Sequence, residues 1–251
     1  MKRIGAACVL TLGLVGCTTP KEMESVETVQ VEEVKEVKSI DESPLPRQDV
    51  IGTTITDVPA GTERISDAVV AQITIQYEDG STGHLSKDMI LTETMIGGIG
   101  LVAMTVPDRE NPFGVFIYDR EGEWGQRGMQ RFGMPQSSTA VAHGLDFPVK
   151  EMNVIHSDYS GADWPVMLWT LYDEKRLISI ISTDDFSEVE GEMSDQPKRY
   201  VLDQSYGNGL YYLSQGRLII VTGNISEEEL LTLADSLPKP SSVSFPFVDS
   251  K

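Results

Sequence analysis

Two apolar runs of similar length, residues 164–171 and 177–183, flank the polar triplet Asp173-Glu174-Lys175. Two such arms, at a separation a tight turn can bridge, predict an antiparallel hairpin. The β-branched Ile178, Ile180 and Ile181 favour extended backbone over helix. The same punctuation recurs along the chain. The arms 209–214 and 217–222 meet at Gln215-Gly216, and Glu78-Asp79-Gly80-Ser81 follows an alternating Ile73, Ile75, Tyr77 within 69–77. Residues 95–106, MIGGIGLVAMTV, are apolar but carry Gly97, Gly98 and Gly100, which disfavour a helix and predict a buried strand pair or a glycine-bent strand. Residues 114–118 read as a further strand. Residues 87–94 suit either a short helical turn or more strand, and 139–155 have no clear period.

One helix stands out against this pattern. Ser226-Glu227-Glu228-Glu229 is a capping box, in which the serine hydroxyl accepts from the Glu229 amide while the Glu229 carboxylate reaches back to the serine amide. Leu230, Leu231, Leu233, Ala234 and Leu237 line one broad face, and Pro238 stops the helix, giving a span of about 226–237. Strands in sequence-local hairpins closed by a capped helix define an α+β fold, mostly antiparallel, over residues 51–251. A candidate break between two halves lies near 150–160.

The two ends of the chain differ in kind. Residues 1–17 read MKRIGAACVLTLGLVGC, with Lys2 and Arg3 ahead of an uncharged run of about a dozen residues that is too short for a membrane span. Residues 14–17, Leu-Val-Gly-Cys, resemble the lipobox of bacterial lipoproteins, in which the cysteine is acylated and becomes the first mature residue. The resemblance implies a signal peptide at 1–16 and lipidation of Cys17. It places the protein outside the cytoplasm, anchored by lipid to a bacterial membrane, whether cell membrane or outer membrane. Cys8 would leave with the signal, so the single remaining thiol would be consumed by lipid and no disulfide could form within the mature chain. The fold must then rest on its core. Residues 17–50, with Pro44 and Pro46 and, over 18–50, nine acidic against four basic side chains, read as an acidic flexible tether.

The chain has 20 basic and 39 acidic residues, a net charge of −19, and loss of Lys2 and Arg3 with the signal takes it to −21. Such a surface repels phosphate backbones and argues against nucleic acid as a partner. The carboxyl-terminal run points further. Tyr211-Tyr212-Leu213, residues 218–222, Ile225-Ser226-Glu227-Glu228-Glu229-Leu230 and Ala234-Asp235-Ser236-Leu237 resemble a bacterial family of unknown function. Its members are extracytoplasmic, often lipoproteins, and related to the outer-membrane lipoprotein carrier and sigma-factor regulator superfamily. The resemblance spans about 165–240. It implies a curved antiparallel sheet with the helix packed in or across it, a shape that in the carrier superfamily holds acyl chains or a peptide, and it implies no catalytic residue.

Two stretches are candidate sites. In 120–134, Trp124, Arg127, Arg131 and Phe132 sit among Gly122, Gly125, Gly128 and Gly133. Glycines admit close backbone approach, and Trp and Arg are favoured contact residues, so this stretch is a candidate partner or ligand contact; its bland reading is a glycine-rich connection with its aromatics tucked in. In 184–195, Asp184, Asp185, Glu188 and Glu190 crowd a loop with no base, a weak candidate for a cation whose spacing matches no calcium-loop motif. His84, His143 and His156 share no ligand spacing, no Gly-x-Ser-x-Gly elbow occurs, and no cofactor is expected. The expected function is non-enzymatic binding of a protein, peptide or apolar ligand at the cell envelope. The alternatives are an envelope hydrolase acting on wall or glycan, and a structural or sensory lipoprotein without a small ligand.

Overall fold

A computed structural model describes residues 47–133, 144–150, 152–159 and 164–247. The predicted hairpin is present as β9 (Val166–Tyr172) and β10 (Leu177–Thr183), paired antiparallel from Leu177↔Tyr172 to Thr183↔Val166. β10 is buried along its whole length because both faces are covered. Leu177 and Ile181 point into one core, and Ile178 and Ile180 into another. On one side β9 pairs with β8 (Asn153–Asp158). On the other, β10 pairs with β13 (Arg217–Gly223), which pairs with β12 (Asn208–Ser214) and it with β11 (Tyr200–Val201). The result is a six-stranded antiparallel sheet. The turn between β12 and β13 takes Gln215 and Gly216 to φ 52° and 79°, the left-handed pair that a two-residue hairpin requires.

A second, four-stranded sheet runs in chain order: β4 (Ile90–Ile96), β5 (Ile99–Thr105), β6 (Phe113–Glu121) and β7 (Glu123–Phe132). The glycine-rich apolar run is therefore a strand pair. Gly97 and Gly98, at φ 62° and 81°, form its turn. The ambiguous stretch 87–94 is both things in succession, a single 3-10 turn at Lys87–Met89 and then β4. A third sheet comprises β1 (Val50–Ile55), β2 (Ile73–Tyr77) and β3 (Thr82–His84).

Two sequence readings are corrected here. The stretch expected to be strand throughout 69–77 begins as helix α1 (Ile65–Gln72) and becomes strand only at Ile73. Ile65, Ala68, Val69 and Gln72 repeat at helical spacing and are all buried, a stripe that the later alternation of Ile73, Ile75 and Tyr77 masks in the sequence. The second correction concerns the stretch from 119 to 133, most of which falls in the span given the bland reading of a glycine-rich connection. Its turn is confined to Gly122, and the rest extends β6 and forms all of β7, with a bulge at Ile117/Tyr118.

The layers follow from which faces are apolar. Leu101, Val115 and Ile117 of the four-stranded sheet pack against Leu168, Ile181 and Ile220 of the six-stranded one. On the far side of the six-stranded sheet, α2 (Glu227–Ser236) lays Leu230, Leu233 and Ala234 across Ile178, Ile180, Ile219 and Val221. Its capping box forms as predicted, Glu229 N donating to Ser226 Oγ and Ser226 N to Glu229 Oε2. On the far side of the four-stranded sheet, α1 and the small sheet bring Ile65, Val69, Ile75 and Tyr77 against Val102, Met104, Phe116 and Tyr118. The fold is α+β and mostly antiparallel. Each buried Leu, Ile or Val removed from water stabilises it by about 1.5–3 kcal/mol.

Candidate functional site

Trp124, Arg127, Arg131 and Phe132 all lie on β7, but the strand does not gather them on one surface. Trp124 is buried in the core beneath α1 and donates its indole N–H to the Glu63 carbonyl at 3.1 Å. Phe132 faces the opposite way, into the core between the two large sheets, with its ring centroid 4.6 Å from that of Tyr172 and 5.7 Å from that of Phe113. Arg127 donates from Nε to Asp119 at 2.6 Å, and this hydrogen bond, partly offset by desolvation, raises its pKa. Arg131 pairs with the buried Asp108 and donates to Thr53 Oγ1 at 2.9 Å, tying β7 to β1. The glycines have packing reasons of their own. A Cβ at Gly128 would come within 2.5 Å of the Tyr159 ring, and one at Gly125 within 3.1 Å of Asp119. Each of the four side chains thus has a partner inside the protein.

Asp184, Asp185, Glu188 and Glu190 are exposed on a connection held down by Phe186 and Val189, which pack against the inter-sheet core, and by the Ser187 amide on the Gly97 carbonyl at 2.8 Å. Among the described residues no three His, Cys, Asp or Glu side chains come together as a metal site. His156 is exposed and stacks on Trp169 at 4.9 Å, whereas Cys17 and His143 lie outside the described residues.

Among the described residues the most deeply buried charged side chain is one the sequence did not single out. Glu93, only 1% exposed, sits on β4 in front of the amino end of α1. Its Oε1 accepts the Ser66 amide at 2.8 Å, and its Oε2 accepts from the Arg64 guanidinium, whose Nη1 also reaches Ser205 Oγ at 3.0 Å. The hydrogen bond to Glu93 raises the Arg64 pKa, and burial opposes it. A carboxylate here satisfies an orphan helix amide and meets the positive end of the helix dipole. These residues border a cleft of about 130 Å³, which Met95, Leu202 and Gln204 also line. Gln204 continues inward, accepting from Thr94 Oγ1 at 3.0 Å and donating to Thr92 Oγ1 and Thr222 Oγ1, both at 3.3 Å. The carboxylate, guanidinium and amide all spend their hydrogen bonds on one another, on backbone or on neighbouring hydroxyls. The arrangement works as a clamp, pinning α1, β4 and the 202–206 segment together. A lone glutamate inside the apolar run of 89–96 was the available signal, since a charge at a core position demands a partner.

No protein-family model matches this chain, and no curated protein matches it.

Proposed function

We propose that this chain is an extracytoplasmic lipoprotein, anchored to a bacterial membrane through lipid on Cys17, whose α+β domain acts without catalysis by binding a protein or peptide at the cell envelope. The observation that carries the reading is the run 1–17, where a basic head, a short apolar core and Leu-Val-Gly-Cys coincide. Stable anchoring calls for more than one acyl chain, which the lipoprotein pattern supplies. The acidic stretch 18–46, ahead of the bridge from Gln48 to Asp108 and of β1, would reach at most about 100 Å if fully extended, enough to hold the domain clear of the headgroups its charge repels.

The choice of a protein or peptide over an apolar cargo is supported by the packing. The inner faces of the two large sheets, where a carrier would lodge an acyl chain, are filled by side chains such as Leu101, Phe113, Leu168, Tyr172 and Ile220, none more than 2% exposed. The test has two parts. Cys17→Ala should move the protein from the membrane fraction to the membrane-free one, and a variant that stays membrane-bound refutes the anchor. Native mass spectrometry of the membrane-free Cys17→Ala protein, purified without delipidation or detergent, should show a single ligand-free mass. A stoichiometric co-purifying lipid would refute the choice of partner.

A further inference from the structure

Polar side chains lie along two register rows on the inner faces of the two large sheets, one row in each sheet. In the six-stranded sheet, Thr170, Ser179 and Thr222 are register partners across β9, β10 and β13, all fully buried. In the four-stranded sheet, Thr92, Ala103, Val115 and Gln130 are register partners across β4, β5, β6 and β7. The rows are joined at both ends. Thr92 Oγ1 lies 2.7 Å from Thr222 Oγ1, and Thr170 Oγ1 donates to Gln130 Oε1 at 3.4 Å. With both ends tied, the middle of one row lies over the middle of the other, so Ser179 faces Ala103 and Val115.

Ser179 Oγ is buried and has no hydrogen-bond partner among the described residues. No hydrogen bond joins it directly to its register partners Thr170 and Thr222, so satisfying it calls for a bridging molecule. Thr222 already accepts from Thr94 at 2.7 Å and donates to the Asn208 carbonyl at 3.1 Å. Thr170 acts as a donor to Gln130, which leaves its hydroxyl lone pairs to accept. The residue opposite, Ala103, is the smallest side chain of this core.

We propose that Ser179, Thr170 and Ala103 frame a binding site for a single buried water, which accepts a hydrogen bond from the Ser179 hydroxyl, donates one to Thr170 Oγ1, and completes a polar line across the sandwich. Buried waters of this kind hold otherwise unsatisfied groups and need two or more polar partners, which Ser179 and Thr170 supply.

The sign of one substitution separates this from a merely tolerated orphan hydroxyl. If a water is bound, Ser179→Ala strips it of a partner, and the folded-to-unfolded ratio of the full chain in urea should fall roughly 5-fold or more. If none is bound, the same change removes an unsatisfied group, and the ratio should stay level or rise. A crystal structure of the unmutated protein decides independently, whatever the variant's yield. Density for a water about 2.6–3.2 Å from Ser179 Oγ upholds the site. Ser179 Oγ turned onto a main-chain carbonyl with no water beside it overturns the proposal, as does an alanine variant of equal or greater stability.

Discussion

Removing Arg64 should harm the fold more than neutralising Glu93, although arginine is the more exposed partner. The side chain of Glu93 is 1% exposed and that of Arg64 38%. Arg64→Met leaves a carboxylate in the interior with the Ser66 amide as its remaining named donor, the situation in which breaking a buried pair costs about 3–5 kcal/mol. Water entering the adjoining cleft, together with the partial exposure of the guanidinium, places the expected loss near the lower end, about 3 kcal/mol. Glu93→Gln keeps an oxygen for Ser66 and strands no charge inside, since Arg64 can turn to solvent; about 1–2 kcal/mol is expected. The double variant should lose less than the sum by at least about 1 kcal/mol, because once Arg64 is gone a neutral residue at 93 relieves the stranded charge. Urea unfolding followed by tryptophan fluorescence is a suitable assay, since Trp124 lies in the core beneath α1. Additivity within about 0.5 kcal/mol, or an Arg64→Met loss below about 1 kcal/mol, would refute the clamp.

Two further outcomes test other parts of the structure. Gly97 and Gly216 both occupy turns at positive φ, but a Cβ at Gly97 would meet the buried Leu218 at 2.8 Å while one at Gly216 meets nothing within 4 Å. Gly216→Ala should therefore cost only the left-handed strain, about 1 kcal/mol, and Gly97→Ala about 2 kcal/mol or more; equal losses in urea melts would contradict the packing at the β4–β5 turn. Burial pushes the Tyr212 hydroxyl up to about 12, with the nearby Arg199 charge opposing. A group whose folded pKa is raised contributes stability that is complete below its unfolded value near 10 and is lost as pH rises toward 12. Tyr212 should account for about 2–3 kcal/mol of the stability lost over that window, beside what the other buried tyrosines such as Tyr118 lose, and Tyr212→Phe should reduce the slope by that share; an unchanged slope would exclude Tyr212 as a source.

Elements that close on themselves within a few residues were legible from the sequence. The β9–β10 and β12–β13 hairpins and the capped α2 need only local signals, a turn pair at the right spacing and a serine three residues before a glutamate. Where two local patterns overlapped, as in 65–77, the helical stripe was hidden by the alternation that follows it. The glycines of β7 looked like loop punctuation because their reason lies elsewhere in the chain, in Tyr159 for Gly128 and Asp119 for Gly125.

The candidate contacts show the same division. Residue type alone marked Trp124, Arg127, Arg131 and Phe132 as notable, but their partners Asp119, Asp108, Thr53 and Tyr172 are set by strand pairing and layer packing. Arg64 and Glu93 are 29 residues apart, and no local pattern couples them. The sequence by itself determined the α+β class, the hairpins, the capped helix and the strong negative charge, and it carries the lipobox resemblance at 14–17. Only the tertiary structure decided which faces of the two large sheets meet, which charges are buried and paired, and that a polar row crosses the core from Gln130 to Thr222. Turns and caps are fixed by neighbours along the chain, whereas register and layering depend on contacts between residues that folding alone brings together.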